Sequence, residues 1–210
     1  MRHCFTEQGT LINKTTMHQP NTPSDRYFLN RLAMEAQGDP TEINPFCKLR
    51  HVFEYATVHE MWQQLNLICS AAMNEEYVWE TGSPGNCLYY FSRLELLIEC
   101  CYLVKIKTLP KTFKGRKNPL PKKLPVKMLP IPLTGSEFRH PLRIIESFFQ
   151  YASIQEWKRQ LLIWVENALS RSSVKDELPP ETLLPFAKHL HKLVYAAYLL
   201  CEFMYHAKET

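Results

Sequence analysis

A stretch of 37 residues, Cys100 to Ser136, carries nine Lys or Arg and six Pro, with no Asp or Glu. Proline fixes φ and removes an amide donor, so the run from Pro110 to Pro132 cannot be a continuous helix and favours extended or polyproline-type backbone. Any fold of this chain must therefore carry its regular elements on either side of that run.

Both flanks show apolar residues at helical spacing. Ser24 and Asp25 can cap a short helix through Gln37, with Phe28, Leu29, Leu32, Ala33 and Ala36 on one face and with Gly38 and Pro40 as the stop. A long helix is predicted from about Leu49 to Met73, its inward stripe being Val52, Tyr55, Ala56, Trp62, Leu65, Cys69 and Ala72. The turn TGSPGN at 81–86 precedes a second long helix from about Cys87 to Lys105. Its stripe is Leu88, Phe91, Leu94, Leu97 or Ile98, Cys101 and Val104. Two such helices around a short Gly/Pro turn predict an antiparallel hairpin.

Beyond the proline run, Pro141 suits the first position of a helix reaching Tyr151. Ser153 and Glu156 form a capping-box pattern opening a helix to about Ser170. The last helix runs from about Glu181 to His206, with Pro185 in its first turns, where a missing amide proton costs least. Being apolar around most of its circumference, it reads as central. No repeat and no period-2 strand series is visible. The expected fold class is all-α, a five- or six-helix bundle with a long Pro-rich, basic, extended crossover between the second long helix and the C-terminal helices. The expected organisation is a flexible tail at 1–23 and a single helical domain at 24–210, with 106–136 as the extended connection inside it.

The chain has 210 residues, 45% of them hydrophobic, and a formal net charge of +4. That balance excludes a wholly disordered chain and a supercharged nucleic-acid condenser. The mild total hides an internal dipole, because residues 51–99 net −6 while residues 100–136 net +9. The seven cysteines follow no framework, and Cys69, Cys100, Cys101 and Cys201 sit in apolar runs. They read as reduced core thiols of an intracellular protein. The polar start lacks the apolar region of a secretory signal, and Glu95, Glu99 and Glu202 interrupt the longest apolar runs, so no membrane span is expected. The expected location is cytoplasmic, or nuclear in a eukaryote.

The basic run reads as two parts, an exposed stretch at about 111–123 and an apolar strap from Leu124 to Leu133. Lys111, Lys114, Arg116, Lys117, Lys122 and Lys123 are its candidate partner-binding residues. They could face the acidic first helices of the same chain, dock a protein, or contact the phosphates of a nucleic acid, where released counterions would make affinity salt-dependent. Phe113 is the only aromatic residue in this basic stretch, which is thin support for base stacking.

The histidines are the natural candidates for catalysis near neutral pH. His51 and His59 are too far apart on one helix for a single metal, and His189 and His191 point away from each other. No HExxH, CxxC, Walker loop, GxGxxG or GxSxG occurs, and six glycines leave little for a phosphate cradle. No cofactor and no metal is expected. The best catalytic candidate is His140 beside Arg139 and Arg143, a set that would suit a metal-independent helical nuclease. The aromatic clusters (Tyr89, Tyr90, Phe91 and Tyr102; Tyr195, Tyr198, Phe203 and Tyr205; Phe148, Phe149, Tyr151 and Trp157) read as core rather than as a ligand pocket. The leading expectation is a non-enzymatic intracellular binding module with a protein partner and no membrane. The alternative is a nucleic-acid-binding protein using the basic segment at 105–127.

Overall fold

A computed structural model describes residues 28–77, 79, 83–107, 133–170 and 172–206. Among them are eight α-helices and no strand: α1 (Asn30–Ala36), α2 (Pro45–Tyr55), α3 (Val58–Met73), α4 (Pro84–Ile106), α5 (Gly135–Arg139), α6 (Pro141–Tyr151), α7 (Ile154–Ser170) and α8 (Pro180–His206). Single 3-10 turns occupy Pro40–Glu42 and Val174–Asp176. The fold is all-α. The tail at 1–23 and the body of the crossover at 108–132 lie outside the described residues.

Most helices begin where local chemistry satisfies their first amides. Asn44 accepts from the Phe46 amide ahead of Pro45, and Ser83 accepts from the Asn86 amide ahead of Pro84. The helix predicted as one element from Leu49 to Met73 is two. Ala56 is extended, and Thr57 with Glu60 forms a complete capping box that opens α3. That reciprocal bonding satisfies two backbone donors at once and makes a new helix start preferable to a continuous one. A second box, Thr134 with Glu137, opens α5, so the end of the predicted extended connection is helical. At α7 the Ser153 hydroxyl accepts from the Glu156 amide as predicted, while the Glu156 carboxylate takes bonds from Arg159 and Gln160.

The core is one cluster of buried side chains drawn from α1 to α4 and α6 to α8. From Leu94 to Val104 every residue of α4 is buried, eleven in succession, so this half of the helix is surrounded on all sides. α8, the predicted central helix, is buried from Val194 to Ala197 as well. The expected α3–α4 hairpin is not the main packing. α3 lies chiefly on α7 and α8, and α4 lies chiefly on α2 and α7. Trp157 stacks on Phe148 at 3.9 Å and its indole N–H donates to the Phe148 carbonyl at 2.9 Å, which locks α7 to α6. Trp164 stacks on Phe186 at 5.1 Å and ties α7 to α8.

Cys69, Cys100 and Cys101 are buried free thiols and Cys201 is half-buried. Desolvation pushes Cys69 and Cys201 up to about 12 and raises Cys100 and Cys101 as well, so these thiols stay protonated. No helix among the described residues is long and apolar enough to cross a membrane.

Candidate functional site

The N-terminus of α1 and the middle of α4 meet through charged groups that the apolar pattern of α4 conceals. Leu29 occupies the cap position of α1 and its side chain cannot accept a hydrogen bond. The acceptor comes from α4 instead. The Arg31 amide donates to Glu99 Oε1 at 3.2 Å and the Leu32 amide donates to Glu99 Oε2 at 2.8 Å. Lys158 of α7 donates to the same carboxylate and to the Phe28 carbonyl, and lies 3.6 Å from Glu95 Oε1. Arg31 Nε donates to Glu95 Oε2 at 2.7 Å. Glu99 is fully buried, so its desolvation outweighs Lys158 and the two amides and holds its carboxyl above the usual range. Every charge in this cluster has a partner of opposite sign.

One turn towards the N-terminus of α4 the picture changes. Arg31, Met34 and Glu35 lie at i, i+3 and i+4 on one face of α1. With Ser92 and Arg93 of α4 they line an open cavity of about 190 Å³. The Arg93 guanidinium sits 5.4 Å from the Tyr55 ring centroid and 5.1 Å from that of Tyr89, held between two tyrosines. Its Nε is buried and has no acceptor among the described residues. A buried donor left unmet costs about 1–3 kcal/mol. Glu35 is engaged by Lys48 at 2.8 Å and Glu95 by Arg31, so no carboxylate among the described residues neutralises Arg93.

Met34, which lines the cavity, is 71% exposed, and the two rings against Arg93 are open to solvent too, Tyr55 60% and Tyr89 38%, with Leu88 next to Tyr89 in sequence also exposed. Arg, Tyr and Met on one exposed face match the composition of binding surfaces rather than of ordinary protein surface. The Ser92 hydroxyl donates to the Tyr89 carbonyl at 2.7 Å, which commits it to the backbone rather than to a general base.

Tyr55, Leu88 and Tyr89 belonged to the predicted core, and the structure places them outside. Tyr151 is likewise exposed, whereas Phe148, Phe149, Trp157, Tyr102, Tyr195 and Phe203 are buried as predicted. The candidates Lys111, Lys114, Arg116, Lys117, Lys122 and Lys123 lie outside the described residues. At the start of the basic run, Lys105 lies over the Tyr102 and Phe149 rings and Lys107 donates to the Ile43 carbonyl. His140 is the junction of α5 and α6, and Arg139 and Arg143 flank it, all three exposed. No hydrogen bond, ion pair or ring contact among the described residues orients the His140 ring. His189 packs on Tyr151 and His191 on Trp62, on different sides of α8. No group of metal-binding side chains forms among the described residues. Comparison of the chain with protein-family models, with curated proteins and with solved structures gives no match.

Proposed function

We propose that this chain is a non-enzymatic helical binding module whose docking face is built from α1, the end of α2 and the first turns of α4. The observation that carries the reading is Arg93, clamped between Tyr55 and Tyr89 beside exposed Met34 and paired with no carboxylate among the described residues. A protein partner suits this face better than a small substrate, because the cavity is open and its hydroxyl is already bonded. The test is a photo-crosslinking amino acid placed at Met34 or Tyr89, with exposed Leu162 on α7 as the control position. The expected outcome is one protein adduct common to the first two positions, absent at Leu162 and lost on Arg93→Ala. Adducts equal at all three positions would overturn the reading.

A second reading rests on the nine cations between Cys100 and Ser136, which suit a nucleic-acid backbone. It predicts nuclease-sensitive adducts and steep salt dependence, neither of which an apolar docking face requires.

A further inference from the structure

The cavity between α1 and α4 also bears on what the partner presents to it. We infer that the partner seats a single side-chain carboxylate, from an aspartate or glutamate flanked by apolar residues, against Arg93 and Arg31. This inference rests on the docking reading above and adds the chemistry of the contact. Three features of the cavity carry it.

The first is charge. Arg31 is balanced by Glu95 and Glu35 by Lys48, which among the described residues leaves the Arg93 guanidinium as the surplus cation of the cavity wall. A monoanion matches one surplus charge. A phosphate dianion or a polyphosphate backbone would bring more negative charge close to Glu35 and Glu95. The second is geometry. A planar guanidinium held between two rings is fixed in orientation before any ligand arrives, so little side-chain entropy is lost when a carboxylate meets it. Both rings are already turned towards Arg93, which argues against stacked bases as the occupants. The third is exposure. Met34, Tyr55 and Tyr89 offer apolar surface on either side of the cation, suited to the residues flanking an acidic one.

The experiment uses the full chain labelled so that arginine Nε–H signals are resolved, titrated with N-acetyl-Leu-Glu-Leu-amide and with its Gln counterpart. The expected result is movement of the Arg93 and Arg31 signals with the Glu peptide, saturating at least about tenfold earlier than with the Gln peptide, as a charge-assisted bond demands. Equal response to the two peptides overturns the inference. So does inorganic phosphate displacing the Glu peptide at lower concentration than the peptide itself needs. Arg93→Gln, with its unfolding midpoint checked beside the parent, should abolish the Glu preference. The peptide comparison on the unaltered chain stands even if that variant fails to fold. A protein adduct at Met34 with no Glu preference would leave the docking face intact and refute the carboxylate. A Glu preference without any adduct would do the reverse.

Discussion

Two stretches of α4, less than two turns apart, handle charge in opposite ways. Around Glu95 and Glu99 the side chains are buried and each is matched by Lys158, by Arg31 or by backbone amides of α1. Among the described residues, the Arg93 cation is matched only by the faces of two tyrosines, and its buried Nε has no acceptor. A fold tolerates charge in its interior when partners are supplied, and it has no reason to leave a guanidinium short of an acceptor for its own stability. The matched stretch holds α1 and α7 onto α4. The unmatched one is the stretch on which the proposed docking face rests.

The largest test of that contrast is Lys158→Ala. It leaves Glu99, which is fully buried, and Glu95 without their shared cation. The expected loss is about 3–5 kcal/mol in urea unfolding at neutral pH, the usual consequence of breaking a buried pair from one side. Pairing Lys158→Met with Glu99→Leu should recover part of it. The recovery stays incomplete, because the Arg31 and Leu32 amides still lack an acceptor. A cost below about 1 kcal/mol for Lys158→Ala would place the cluster among ordinary surface pairs and erase the contrast.

Protonation can add unmatched charge elsewhere. Burial holds His189 and His191 of α8 below the ordinary imidazole pKa, with Lys192 and Lys188 pushing His189 further down. The unfolded chain then binds protons more readily than the folded one. This contribution is full above the ordinary value of about 6.5 and is lost as pH falls through it towards the depressed one. Glu99 acts with the opposite sign, since its raised pKa makes the folded state the better proton acceptor as pH falls. The comparison that isolates the histidines is therefore the parent against His189→Gln with His191→Gln. The parent's unfolding midpoint should fall more steeply between pH 7 and 5 than that of the double variant. Parallel slopes would mean that α8 accommodates the charge.

Arg31 belongs to both stretches, since its Nε serves Glu95 while its side chain lines the cavity. Arg31→Ala should cost about 1 kcal/mol or less, because the side chain is 35% exposed and solvent screens the pair. It should also weaken the Glu-peptide response at Arg93. A stability loss with no change in that response would assign Arg31 to the matched cluster alone.

The sequence carried the helices more clearly than it carried this contrast. Helical period located α4, α6, α7 and α8 to within a few residues, because their apolar positions recur and their starts carry Ser or Pro. The breaks at Thr57 and Thr134 were legible too, as T-x-x-E patterns matching the one recognised at Ser153, but an unbroken apolar stripe and a run of prolines masked them. Glu95 and Glu99 registered only as interruptions of an apolar run. Periodicity cannot reveal that a carboxylate finds its partner 68 positions away at a helix start. Tyr55 and Leu88 lie at inward-looking positions of the pattern and Tyr89 in an aromatic cluster that reads as core, yet whether a neighbour covers them depends on how α1, α2 and α4 are set together. The residues of the candidate site are thus those at which local pattern and tertiary packing disagree.

The smallest expected effect on stability is the most discriminating. Arg93→Ala removes two cation–ring contacts, each worth about 0.5–1 kcal/mol at an exposed site. It also removes a buried donor whose unmet hydrogen bond costs about 1–3 kcal/mol. The two changes have opposite signs and similar size, so the unfolding free energy should move by less than about 1 kcal/mol in either direction. Loss of more than about 2 kcal/mol would show that the tyrosine clamp is a structural joint between α2 and α4. In that case both stretches of α4 would serve stability, and the surplus charge would lose its claim to a partner. A near-silent change in stability, together with loss of the Met34 adduct, would separate the two functions of one helix within the half turn between Arg93 and Glu95.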